Sequence, residues 1–510
     1  MGETRSHPTA VFMAFGTKGD VYPLAAVAAA FACNQEQYQV AFITHSAHES
    51  LGQFLLEKRV AYIPVSSPPA LSPVQDDNTA DILKSFSVEK RKITREHRQE
   101  CFSIFERLFA DGLSLENDVI VINFFALEGW SLAELYDVRC VVAAPYVVPY
   151  SAHSSFERHF QHELPHLYKY LKEAPPTKVC WDDVVHWMWP LFTEDWGSWR
   201  SDDLNLSPWP FTDPVTGLPK WHERTSSPLL LYGFSKEVVE CPDYWPSKIC
   251  VCGFWMLPKE WQYSCVHCQK ISMQLSSESL NTENSLCSSH SDLQSFLMRS
   301  ASSSLVFVSL SSAGSMGFLR NSRQFLHVLQ VALDITSHRF ILLTAGCESL
   351  EAAIQVIAAE SRSSSQQIEL SKEGTTLFGG RLFCFSGSIP YSWLFRKCDV
   401  AIHHGGSGST AAALLAGIPQ ILCPFLFDQF YWAERMFWLG VSPEPLKGCD
   451  MVPVDGNYTS IKEAAEKLAR SISYALAPKV RACALEVAAK LSLEDGLSEA
   501  VRILKEELTK

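Results

Sequence analysis

Residues 398–435 read CDVAIHHGGSGSTAAALLAGIPQILCPFLFDQFYWAER, and this stretch decides the fold. Val400 to Ile402 form a short apolar run suited to a strand. Thr410 to Ala416 are strong helix formers, stopped by Gly417 and Pro419. Between them stand His403, His404, Gly405, Gly406, Ser407, Gly408 and Ser409, so the order is strand, glycine turn, helix. Glycines let a backbone approach a ligand closely, and the N–H groups at a helix start suit an anion such as a diphosphate. That anion would sit at Ser407 to Thr410. The same pattern also describes a turn that only packs a crossover helix.

A second strand, Gln420 to Cys423, ends in Pro424, Phe425, Leu426, Phe427, Asp428 and Gln429. Ligands of open α/β sheets bind outside the carboxyl ends of strands, so this loop and the glycine turn should border one crevice. Asp428 beside Gln429 offers acceptors and an amide to a polyhydroxylated group beyond the phosphates. A nucleotide sugar would use both loops.

HHGGSGSTAAALLAGIP and PFLFDQFYWAER resemble the donor-site signature of the sterol 3-beta-glucosyltransferases and their UDP-dependent relatives. The resemblance implies an α/β chain with two Rossmann-like domains facing a cleft, the GT-B glycosyltransferase fold. The carboxyl half would hold the donor and the amino half the acceptor. It implies donor contacts at His403, Gly405, Gly406, Ser407, Gly408, Ser409, Asp428 and Gln429, and also at Gly16 and Thr17. SIPYSWLF (388–395) resembles another segment of that family, which places Ile389 against the uracil. At 311–317 the family's glycine-serine turn fits two registers, one through Ser311 and Ser312 and one through Gly314 and Ser315. Thr344 to Cys347 replace a Gly-Trp element.

The amino half opens with a strand at 10–15, then Gly16-Thr17-Lys18-Gly19-Asp20 and an alanine-rich helix to Cys33. A carboxylate would not be welcome in a phosphate site, so Asp20 reads as an acid–base group or as a plain helix cap. GTKGDVYP resembles the family's amino-terminal motif, which implies that Asp20 is the base activating the acceptor hydroxyl. With no histidine between His7 and His45, Asp20 has no rival in the turn. Strands follow at 39–44, 60–65, 119–123 and 140–144, with a charged helix at 89–110 and a Pro/Ser/Asp loop at 66–85 that would shape acceptor access. Aromatic residues crowd 145–221, Tyr150, Trp181, Trp187, Trp199 and Trp221 among them, as core or as the lining of a flat apolar ligand's pocket.

The chain has 510 residues, 47% of them hydrophobic, enough for two domains with their own cores. The expected divisions are 1–257 for acceptor binding, 258–304 as linker and Ser-rich insertion, 305–480 for the UDP-sugar, and 481–510 as a helix bracing the amino domain. A net charge of −13 without a basic run argues against nucleic acid as a partner. No long apolar segment opens the chain, so the expectation is a cytoplasmic protein, with peripheral membrane contact as a route to lipid acceptors. Sixteen scattered cysteines read as reduced core thiols. Cys250, Cys252, Cys265 and Cys268 have zinc-like spacing, yet a C-x-C on a strand shares a face in any case, and the expectation is no metal site.

No Asp-x-Asp occurs, in keeping with a diphosphate neutralised by His403, backbone N–H groups and the helix end. The reaction implied by resemblance is inverting transfer of glucose from UDP-glucose, a co-substrate and not a cofactor, to a hydroxyl of an apolar acceptor such as a sterol. Smaller phenolic acceptors, a catalytically silent UDP-sugar- or lipid-binding protein, and an epimerase are the competing readings.

Overall fold

Short apolar runs bounded by glycine and proline turns become parallel strands here, and helices cover them. The structure is a computed structural model that describes residues 5, 7–67, 80–109, 117–147, 152, 154–223, 225–246, 248–278, 286–299, 303–310, 314, 317, 319, 321–362, 374–453 and 455–509. It divides into two units: Met1–Met256 together with Asp495–Lys510, and Leu257–Glu494.

The first unit has seven strands, β1 (Thr9–Met13), β2 (Gln39–His45), β3 (Val60–Val65), β4 (Val119–Ile122), β5 (Arg139–Ala144), β6 (Leu230–Tyr232) and β7 (Ile249–Val251). They are parallel, in the order β3-β2-β1-β4-β5-β6-β7. β1 and β4 are buried along their whole length, which is why they read as unbroken apolar runs instead of alternating ones. The chain leaves β1 toward β2 and β3, then returns on the other side of β1 as β4. That reversal opens a crevice at the carboxyl end of β1, where the GTKGD turn begins. The helix Lys18–Cys33 follows, and the helix Gly496–Leu508 packs on it. Val501, Leu504 and Leu508 are buried on that last helix, and Lys248 pairs with Glu507 at 2.6 Å.

The second unit has β8 (Leu305–Ser309), β9 (Arg339–Leu343), β10 (Gly374–Leu377), β11 (Leu382–Phe385), β12 (Val400–His403) and β13 (Gln420–Leu422). Their order is β10-β11-β9-β8-β12-β13, parallel except for β10 on the edge. Here the reversal falls between β8 and β12, where Ser309 pairs with His403. The core lies between this sheet and helices such as Ser322–Asp334 and Tyr458–Ala475, with Phe325, Leu329, Leu468 and Ile472 fully buried.

Several elements differ from the sequence expectation. The stretch read as irregular linker contains the helices Val266–Glu278 and Ser291–Met298. Leu293 and Phe296 lie three apart on one helical face and are buried, Phe296 against Phe383 at 5.2 Å; the surrounding serines mask that pattern. The charged helix starts earlier, at Ala80, and residues 68–79 of the expected loop lie outside the described residues. Trp181, Trp187 and Trp199 are core, with Phe160 and Tyr168 at 5.1 and 4.9 Å from the Trp181 ring. Trp221 is exposed, and Tyr150 lies outside the described residues. No helix among the described residues is long and apolar enough to cross a membrane.

Candidate active site

In the first unit, the turn after β1 is built around Asp20. Thr17 caps the helix, and Asp20 sits three places on, reaching back in a capping box. The Thr17 amide donates to Asp20 Oδ2 at 2.6 Å and the Thr17 hydroxyl at 2.7 Å. Among the described residues no hydrogen bond is made to Oδ1. Gly16 adopts φ +108°, and a Cβ there would fall 2.6 Å from Asp20 Oδ2, so only glycine lets the carboxylate lie over the turn. Burial raises the Asp20 carboxyl to about 6, against the lowering effect of both Thr17 bonds.

Residues distant in sequence hold this turn. Asn123, fully buried just beyond β4, donates to the carbonyls of Phe15 at 2.8 Å and Asp20 at 3.3 Å, and accepts from the Phe15 amide at 3.2 Å. His48 bonds the Gly16 carbonyl at 3.0 Å, so its Nε2 carries the proton. The Phe15 ring lies 4.6 Å from both the His45 and the His97 rings. Burial holds both imidazoles down to about 4, so they are neutral at pH 7.

In the second unit, β12 ends at His403 and the helix Ser407–Ala416 starts just beyond, with Gly406 as its cap. Gly405 has φ +88°, and a Cβ there would lie 3.1 Å from the Gln429 carbonyl oxygen and 3.2 Å from Leu422. The glycine turn and the Asp-Gln loop are therefore in direct contact. Gly408 faces open space: a Cβ would meet nothing within 4 Å. Ser407 is buried and Ser409 half-buried. Thr410 Oγ1 is buried with no hydrogen-bond partner among the described residues.

The two histidines behave differently. His403 is 1% exposed; its Nδ1 accepts from the Gly405 amide at 3.1 Å, so its Nε2 donates to Gln420 Oε1 at 2.9 Å. Burial holds it near 4, neutral at pH 7. The sequence expectation set His403 against the diphosphate, but both its ring nitrogens are committed inside the protein. His404 lies half-buried at the helix start, where a Cβ on Gly406 would come within 2.7 Å of its Nε2.

Gln429 is buried, and its Oε1 accepts from the amides of Phe425 at 2.9 Å and Leu426 at 3.2 Å, shaping the loop. Phe427 holds φ +48°, a strained backbone for a bulky residue and a mark of functional loops. The Trp432 indole N–H donates to Asp428 Oδ2 at 2.9 Å. Gly314 packs so closely that a Cβ would lie 2.8 Å from Cys347 Sγ. Ser312 and Ser315 lie outside the described residues. Ile389 is buried, and Pro390 caps the helix Tyr391–Leu394.

Residues 383–488 match a family described as "Erythromycin biosynthesis protein CIII-like, C-terminal domain". A sterol 3-beta-glucosyltransferase of Arabidopsis thaliana, UGT80B1, is 37% identical over 112 residues, covering 22% of this chain and 16% of its own length. The sterol 3-beta-glucosyltransferase of Sclerotinia sclerotiorum is 24% identical over 440 residues, 84% of this chain and 25% of its own. This chain thus spans a quarter or less of these relatives. Among solved structures, the calicheamicin glycosyltransferase CalG4 superposes with a TM-score of 0.57 at 14% identity, over 99% of each chain. A UDP-glucosyltransferase from Polygonum tinctorium gives 0.55 at 15% identity, also over 99% of each. This chain has the GT-B fold and is related to the sterol 3-beta-glucosyltransferases.

In this GT-B chain the residues that sequence reasoning missed are those that act through others. Asn123 is a lone polar residue after an apolar strand, a signal visible in the sequence. Gln420 and Trp432 sit in apolar surroundings where only tertiary packing assigns them a partner. His45, His48 and His97 come from other elements to flank the turn that holds Asp20.

Proposed function

We propose that this chain is an inverting glycosyltransferase that moves glucose from UDP-glucose to a hydroxyl of an apolar acceptor, a sterol or a related steroid or triterpenoid. The contact between Gly405 and the Gln429 backbone carries the reading, since it joins an anion-binding helix start to a loop rich in sugar-binding groups. The amides of Ser407 to Ser409 and the positive helix end hold the diphosphate. His404, at that helix start, takes the role first expected of His403. Asp428 receives hydroxyls of the glucose, and its orientation is fixed by Trp432. The backbone at Ile389 and Pro390 borders the uracil.

Asp20 is the base. Its Oδ1 accepts the proton of the acceptor hydroxyl as that oxygen attacks the anomeric carbon. The bond from that carbon to the UDP oxygen breaks, and its electron pair leaves with UDP. One displacement from the opposite face inverts the centre. A carboxyl raised to about 6 is still ionised at pH 7 and is more basic than an ordinary aspartate, which favours proton transfer.

The test is an acceptor panel of sterols, other triterpenoids and phenols with radiolabelled UDP-glucose, and the anomeric configuration read by NMR. A β-glucoside of a sterol is expected. Donor binding without transfer to any acceptor would replace this reading with a silent UDP-sugar-binding protein.

A further inference from the structure

The segment that follows residue 257 contains Cys265-x-x-Cys268 and, after a serine-rich stretch, Cys287-x-x-His290. The first pair brackets the start of the helix Val266–Glu278, and the second spans the 3-10 turn Ser288–His290. Their four ligand atoms all lie within 4.8 Å of one another. We propose that Cys265, Cys268, Cys287 and His290 bind one zinc ion, which fastens this segment together on the second unit.

The distances favour a metal over either alternative. Cys265 Sγ and Cys287 Sγ are 3.7 Å apart. Two sulfurs on a tetrahedral zinc, each about 2.3 Å from it, stand about 3.8 Å apart, whereas a disulfide closes to about 2.05 Å. Ordinary core thiols pack against apolar side chains; here three sulfurs and an imidazole converge on one point. Cys268 is fully buried and His290 3% exposed, so the charge of a metal would be shielded from water.

The backbone prepares the ligands. The Gln269 amide donates to the Cys265 carbonyl at 3.0 Å, and the His290 amide to the Cys287 carbonyl at 3.1 Å. The Cys287 amide donates to Cys268 Sγ at 3.3 Å, the kind of bond that steadies a thiolate and orients it for a metal. Three soft sulfurs and one nitrogen in a compact set select zinc over harder cations. Four protein ligands leave no open position, so the site is structural and not catalytic. This proposal departs from the sequence expectation of no metal site. Cys250 and Cys252, grouped with Cys265 and Cys268 by sequence, are not in the cluster; Cys252 Sγ turns to the Cys250 carbonyl at 3.9 Å.

The ion would tie Cys265 and Cys268 to Cys287 and His290 beside an existing anchor. Ser264, next to the first ligand, donates its amide to the Ser388 carbonyl at 3.0 Å, and its hydroxyl accepts from the Ser388 amide at 2.8 Å. Ser388 precedes Ile389. The His290 ring also meets Phe385 of β11 edge-on at 5.8 Å. The zinc site itself does not rest on the glycosyl-transfer reading.

The full chain, expressed with zinc in the medium and purified under reducing conditions, is measured by plasma mass spectrometry. About one zinc per chain is expected, and cobalt in its place should give the intense absorption of a tetrahedral thiolate complex. Cys268→Ser and Cys287→Ser should each lower bound zinc by roughly tenfold or more, and the Cys250→Ser, Cys252→Ser double variant should retain it. Should a serine variant not fold, the metal content and cobalt spectrum of the unmodified chain still decide. Negligible zinc in that chain, a cobalt spectrum without thiolate bands, or undiminished zinc in folded Cys268→Ser would overturn the proposal.

Discussion

Thr17 donates two hydrogens, one from its amide and one from its hydroxyl, to a single oxygen of Asp20 at 2.6 and 2.7 Å. The carboxylate is thereby held by one oxygen, and in the proposed mechanism the other receives the acceptor's proton. Asp20→Asn should lower turnover by roughly 10²–10⁴, the usual span for a general base, with donor affinity little changed. Initial rates and equilibrium dialysis of UDP-glucose would check both halves.

The pH profile follows from the same group. With its carboxyl near 6, activity should fall on acidification through about that value. Both Thr17 bonds favour the charged form, so Thr17→Val, which removes one, should shift the acid limb upward. A limb that stays in place would dissociate the hydroxyl from the titration.

His403 and His404 should separate cleanly. His403→Ala strands Gln420 in the core and should cost about 1–3 kcal/mol of stability, read from urea midpoints. His404→Ala should leave the midpoint nearly unchanged and weaken UDP binding. The reverse pattern would return the phosphate role to His403.

At Asp428 the expectation concerns two ligands compared. Asp428→Ala should spare UDP affinity and weaken UDP-glucose, and Trp432→Phe should do the same more mildly because it loses the orienting N–H. Equal losses for both ligands would place Asp428 at the phosphates instead.

Acid should destabilise the protein as the pH falls below the ordinary histidine range. His45, His97, His186 and His403 are each held to about 4 by burial, against 6.5 in the unfolded chain. Their contribution is complete above about 6.5 and is lost as pH falls toward about 4. Asp20, Glu128 and Asp183 act in the opposite sense, since burial raises each carboxyl and its protonation relieves a cost, but burial also holds down His48, His338 and His404, so the histidines outnumber them. Urea midpoints at about pH 7.5 and about 5.5 should show the fall.

Removing zinc and removing a catalytic metal make different demands. A strong chelator should leave turnover at saturating donor nearly intact, and magnesium or manganese should not raise it, because in the proposed mechanism the helix start stabilises the leaving diphosphate. If Ile389 depends on the zinc-bound segment, the KM for UDP-glucose should rise after chelation. Restoration of lost turnover by magnesium would defeat the helix-end account.

Both glycine turns were legible in the sequence because each is a strand, a break and a helix former in immediate succession. Which of two adjacent histidines points inward was not, since it depends on where β12 meets β13 and on Gln420. The metal cluster escaped for a related reason. Cys265 and Cys268 declare a pair locally, but Cys287 and His290 join them only when the chain folds and the His290 ring packs against Phe385 of β11. Asn123 shows the intermediate case: its oddity is visible, and its purpose as a clamp needs the neighbouring strand.

The helix Gly496–Leu508 belongs to the unit that the chain begins. During synthesis, the alanine-rich helix Lys18–Cys33 emerges from the ribosome hundreds of residues before its covering partner. The second unit can mature first, while the first waits with an apolar flank uncovered. Chaperone dependence should therefore fall on the amino-terminal half, and a chain terminated near residue 494 should aggregate through that flank even with every donor-site residue present.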